Sequence, residues 1–90
     1  MSDRKVPRPF TMPWGNGQVV EEASTVCEHH EPVIQLLQYD DGAETVRFAF
    51  YRGTTFGRGP MMIGADELPA LREALRETPR LRELLSSLLA

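Results

Sequence analysis

The sequence predicts an α+β domain: a four-stranded antiparallel β-meander covered on one face by C-terminal helix, with the helix broken or kinked near Pro79. Three observations carry this. Apolar runs with period-two alternation fill the middle of the chain, turn residues such as "DDGA" at 40–43 separate them, and leucines recur at helical spacing from Leu68 onward. Strands are expected at 18–27, 33–39, 45–52 and 60–63, and helices at 66–77 and 79–89. Residues 18–90 form the single domain and 1–17 an extended, basic, proline-rich arm.

Ninety residues suffice for one modest core and not for a second beside it. A content of 41% hydrophobic and 26% charged residues is that of an ordinary globular domain and excludes the low-hydrophobicity signature of a disordered chain. No apolar run reaches the roughly 18 residues of a membrane span, and "MSDRKVPRPFTMPW" lacks the apolar centre of a secretory signal. A cytoplasmic location and no membrane partner are therefore expected. Cys27, the single cysteine, has no internal disulfide partner.

The net charge of −3 conceals a segregation. Between Val19 and Glu44 stand seven acids and no Lys or Arg; between Thr45 and Gly64 stand Arg47, Arg52 and Arg58 and no acid. Such a two-sided chain can steer a charged partner or align two copies of itself, whereas its overall acidity makes it a poor general binder of polyanions.

In the arm, Pro7, Pro9 and Pro13 remove backbone donors, so an extended segment is expected rather than strand or helix. Phe10, Met12 and Trp14 alternate and can lay one apolar edge on the domain, with Trp14 as the packing anchor. "QVVEEASTVC" is the first strand, irregular around Glu21 to Ala23. Pro32 marks "EHHEP" as a connection. "VIQLLQY" and "ETVRFAFYR" form a hairpin across "DDGA".

In the second of these strands Val46, Phe48 and Phe50 share one face, and Arg47, Ala49 and Tyr51 share the other. The phenylalanine face is the expected core. A three-residue loop places Ile34 and Leu36 on that face, and a two-residue loop places Val33, Gln35 and Leu37 there; the first is preferred because it avoids burying Gln35.

"YRGTTFGRGP" then reads as a hairpin loop before the last strand, with Arg52 and Arg58 at its base and Phe56 near its tip. Its glycines match neither a Walker loop nor a dinucleotide fingerprint: no lysine follows them and they open no helix. In the C-terminal third Asp66 is the expected N-cap, and Leu68, Leu71 and Leu75 form a stripe able to cover the phenylalanine face. Thr78 and Pro79 start a second helix that carries Leu81, Leu84, Leu85, Leu88 and Leu89. That is more apolar surface than the end of a small monomer can hide, so it either closes over the sheet or meets a second copy.

"CEHHE" is the one cluster resembling a site. An extended segment brings at most two of its side chains together, and no second Cys or His pair exists to complete four zinc ligands, although a dimer axis could supply them. No metal and no cofactor are expected. No nucleophile elbow and no paired carboxylates stand in the chain, so no enzyme is expected.

In element order alone, four antiparallel strands followed by a helix resemble the small single-stranded-DNA-binding transcriptional coactivators, which dimerise through the helix; no sequence motif of that family carries the likeness. The expected function is a non-enzymatic, self-associating interaction module, a homodimer through Leu81, Leu84, Leu85 and Leu88 that chooses a protein partner by its charge asymmetry. The alternative is a single-stranded nucleic-acid binder that uses an outward sheet face and hairpin, Arg47, Tyr51, Arg52, Phe56 and Arg58, with Arg4, Lys5 and Arg8 of the arm.

Overall fold

The structure, a computed structural model, describes residues 4–89. Strands β3 (Glu31–Tyr39) and β4 (Glu44–Arg52) form the central hairpin. Its turn is set by Gly42, whose φ of 92° belongs to the left-handed region that glycine enters at least cost. Gly42 N donates to Tyr39 O at 2.9 Å and Tyr39 N to Ala43 O at 2.9 Å, which closes a loop over Asp40, Asp41 and Gly42. The loop puts Ile34 opposite Phe48 and Leu36 opposite Val46, the register expected of a three-residue connection.

The amino-terminal arm is an edge strand rather than a separate extension. β1 (Arg8–Met12) pairs antiparallel with β2 (Gly15–Ser24), and Pro9 is tolerated because an edge strand has one side without ladder partners. Phe10 sits across from Gly17, where a Cβ would collide with the Gln38 carbonyl; only glycine lets β2 approach β3 so closely. β2 therefore begins three residues before the expected strand at Gln18. A bulge between Val19 and Glu21 bends it. Beyond Ser24 the chain turns tightly, with Cys27 N donating to His30 O at 2.8 Å, and Pro32 lies inside the start of β3, opposite Phe50.

Six strands stand where four were expected. β5 (Thr55–Phe56) and β6 (Met61–Gly64) both pair with the outer edge of β4, so the order is β1-β2-β3-β4 with β5 and β6 at the two ends of the β4 edge.

The face of β4 that points inward is the reverse of the expected one. Phe10, Val19, Val33 and Leu37 are the buried apolar residues, and the register puts them on the side of Arg47 and Tyr51. Val46, Phe48 and Phe50 are only half-buried on the other side. A flat sheet under a helix would bury its phenylalanines, but this sheet curls, and its inner face encloses Gln35 and Arg47, with Gln35 bonded on both sides, from Arg47 Nε and to Glu22.

The helical region is bent in the expected place. A 3₁₀ turn (Ala65–Glu67) leads into α1 (Leu68–Ala74), a second 3₁₀ turn (Leu75–Glu77) ends it, and α2 is Pro79–Leu89. Gly64 rather than Asp66 is the first cap, and its N–H donates to Glu67 Oε1 at 2.8 Å. At the break, Arg82 N donates to Thr78 O at 2.9 Å, while the Thr78 hydroxyl turns back to donate to Leu75 O at 3.2 Å. Neither helix buries a residue, so the Leu68, Leu71 and Leu75 stripe does not close over Phe48 and Phe50. Among the described residues no helix is long and apolar enough to cross a membrane.

Candidate functional site

Two features stand out: a polar cluster enclosed by the sheet and an uncovered apolar surface outside it. The inner cluster follows from register. Glu22 of β2, Gln35 of β3 and Arg47 of β4 are successive cross-strand partners, so their side chains form one row across the inner face. Gln35 Nε2 donates to Glu22 Oε2 at 2.7 Å, and Arg47 Nε donates to Gln35 Oε1 at 2.6 Å. Arg8 of β1 grips the same carboxylate from the other side, Nη2 to Oε2 at 2.9 Å and Nη1 to Oε1 at 3.3 Å. Arg4 completes the cluster. It donates to Glu31 Oε2 at 2.9 Å, lies 3.6 Å from Glu22 Oε1, and covers the Tyr51 ring at 3.6 Å.

Burial and charge compete in this row. Burial acts to raise the Glu22 carboxyl, but the hydrogen bonds from Arg8 and Gln35, with the charges of Arg8 and Arg4, hold it below the ordinary glutamate value. Burial lowers Arg47, repulsion from Arg8 adds to this, and Tyr51, Tyr39 and Glu22 oppose without cancelling it. Arg8, which burial would also lower, is held above its usual value by Glu22 and Tyr51.

Of the five residues expected to contact a partner or nucleic acid, the structure brings Arg47, Tyr51 and Phe56 together, facing inward. Phe56 pairs with Tyr51 across β4 and β5, its ring edge-on at 5.2 Å, and Arg47 lies 4.8 Å from its centroid. It is not at an exposed tip, because a tight turn at Gly53 folds β5 straight back onto β4. Arg47 does not lie on an outward face. Arg52 and Arg58 are exposed, Arg52 near the Phe50 ring at 5.7 Å. Glu22, Gln35 and Glu31 were missed; the signal for them was a row of polar residues at alternate positions on neighbouring strands.

Trp14 is not the anchor expected of it. It is 68% exposed and meets the domain where its indole N–H donates to the Tyr39 hydroxyl at 3.0 Å. Phe10 supplies the anchoring instead, edge-on to Tyr39 at 5.1 Å. Cys27 to His30 of "CEHHE" form the exposed tip of the β2–β3 connection, where His30 packs edge-on to Phe50 at 5.8 Å, while Glu31 begins β3 and is buried. Among the described residues no group of three or more His, Cys, Asp or Glu side chains is placed to hold a metal ion.

The apolar surface outside the sheet has two parts. Ala23, Ile34, Leu36 and Val46, together with Val6, Glu21, Glu22 and Gln35, line an open groove of ≈ 500 Å³. On the helices Leu81, Leu84, Leu85 and Leu88 are 48%, 73%, 41% and 56% exposed. Comparison with family models, with curated proteins and with solved structures finds no match for this chain.

Proposed function

We propose that this chain is a non-enzymatic, self-associating interaction module that dimerises through the leucines of α2. The exposure of Leu81, Leu84, Leu85 and Leu88 on one short helix carries the reading. Burying a leucine side chain contributes about 1.5–3 kcal/mol, so four left in water forgo more than a marginally stable domain can spare. An uncovered apolar patch beside a polar surface is the usual mark of association. The acidic stretch from Val19 to Glu44 and the acid-free stretch from Thr45 to Gly64 support a charge-selected protein partner in a cytoplasmic setting.

Sedimentation equilibrium of the full chain beside one ending at Glu77 tests this. A dimer that becomes a folded monomer on truncation supports it, and a full chain that stays monomeric at high micromolar concentration removes it.

Single-stranded nucleic-acid binding ranks second, supported by the exposure of Arg52 and Arg58 beside the glycines Gly53 and Gly59, both at positive φ. Affinity that falls steeply with salt and is lost in Arg52→Ala/Arg58→Ala would favour it over the first reading.

A further inference from the structure

Two turns stand side by side at one end of the sheet. Trp14 lies between β1 and β2, Asp40 and Asp41 lie between β3 and β4, and Asp40 N donates to Asn16 O at 2.9 Å, which ties one turn to the other. Between them Trp14, Asn16, Tyr39, Asp40 and Asp41, with Gly15, line an open pocket of ≈ 180 Å³. Its aromatic walls are held in place: the Trp14 indole N–H donates to the Tyr39 hydroxyl at 3.0 Å, and Phe10 packs edge-on to the Tyr39 ring at 5.1 Å. Trp14 nevertheless stays 68% exposed, more than the rim of an indole can supply, so a ring face is open to solvent. A tryptophan that only completed the fold would be covered.

The charge at this pocket is of one sign. No Lys, Arg or His lines it. The Asp40 carboxylate makes no hydrogen bond or ion pair with another described residue, and Asp41 spends Oδ1 alone, accepting from Ala43 N at 2.9 Å. Two aromatic rings and two carboxylates with free oxygens therefore meet in one place, and the indole is the ring system that attracts a cation most strongly.

We propose that the pocket formed by Trp14, Tyr39, Asp40 and Asp41 binds an organic ammonium group, carried by a small free amine or by a lysine side chain of a partner protein. The aromatic faces take the carbon-bearing side of the cation while the carboxylates balance its charge. Pockets that enclose a whole drug-sized ligand run to roughly 300–1,000 Å³, so a cavity of ≈ 180 Å³ holds a head group and leaves the rest of the molecule outside. An anion is repelled by both aspartates, and a neutral sugar could stack on the indole but would gain nothing from the charge. The site lies at the turns and does not depend on association through α2.

The chain has a single tryptophan, so one indole N–H signal of the full ¹⁵N-labelled protein reports on the site. The probes are choline chloride and N-acetyl-lysine amide. Their neutral counterparts, dimethylbutanol and N-acetyl-norleucine amide, serve as comparators together with maltose and with sodium chloride at equal ionic strength. Saturable shifts with each ammonium compound and none with its neutral counterpart are expected, with affinity reduced about threefold or more in Asp40→Asn, which keeps the shape and removes the charge. Tighter binding of N-acetyl-lysine amide identifies a partner's lysine as the source, and tighter binding of choline a small free cation. Shifts that merely follow sodium chloride, equal binding of the neutral compounds, or maltose saturating at lower concentration than either ammonium compound would overturn the proposal. Because the neutral comparison uses the unaltered protein, a poorly folding Asp40→Asn leaves the decision intact.

Discussion

Glu22 and Gln35 face each other across β2 and β3, and the 2.7 Å hydrogen bond between them joins the arginines of the inner face into one system. Gln35 donates to Glu22 with its nitrogen and accepts from Arg47 with its oxygen, so a single amide orientation serves a carboxylate on one side and a guanidinium on the other. Gln35 is 1% exposed, so both bonds are made away from bulk solvent.

Gln35→Leu keeps the volume and removes both bonds. Each charged neighbour then loses a buried partner, a loss of about 1–3 kcal/mol apiece, so urea denaturation is expected to show destabilisation of about 2–5 kcal/mol. A loss below about 1 kcal/mol would mean that the cluster is wetter than its burial indicates.

Glu22 is expected to contribute to the acid limit of stability. Its folded value lies below its ordinary one, so its contribution is fully present above the ordinary glutamate value of about 4.3 and is lost as the pH falls through the lower folded value. Glu22→Gln is expected to lower stability at neutral pH and to flatten the decline between about pH 5 and pH 3. Melting curves across that range measure both; an unchanged slope would assign acid unfolding to other groups.

Gly17→Ala is expected to be costly for a reason unrelated to dihedral freedom. Its Cβ would meet the backbone of Gln38 and Tyr39, which cannot step aside without opening the β2–β3 ladder. Destabilisation of about 2 kcal/mol or more is expected, on the scale of an overpacked core, and Gly42→Ala, strained by its positive φ with open space around it, is expected to cost less. Paired denaturation curves rank the two.

Removal of α2 by ending the chain at Glu77 is expected to leave the sheet cooperatively folded, since no α2 residue is buried. A midpoint lowered by only a few degrees at low protein concentration fits that geometry. At high concentration the full chain gains stability that the truncated one lacks, because association binds only the folded state. Equal melting at all concentrations would count against dimerisation through α2.

Trp14 offers an optical check on the edge strand. At 68% exposure its fluorescence is expected to be red-shifted and readily quenched by acrylamide, and Tyr39→Phe, which removes its one hydrogen-bond acceptor, should alter emission with little change in stability. Blue, quench-resistant emission would place the indole against apolar surface instead.

Local signals in the sequence were enough for the elements whose cause is local. The Asp40–Gly42 turn and hence the Ile34–Phe48 register follow from which residues tolerate positive φ, and the break at Thr78–Pro79 follows from the missing proline donor. β1 was not legible, because three prolines argue against a strand and only pairing along one edge makes Pro9 acceptable. Which face of β4 turns inward was decided by tertiary structure alone. Alternation separates Phe48 from Arg47 but does not say which is enclosed, and hydrophobicity gives the wrong answer when partners from three other strands satisfy the polar side. Gln35 and the charge of Glu22, itself held by Arg8, make Arg47 tolerable inside, and the curl of the sheet, with the helices standing away from it, leaves Phe48 half-exposed.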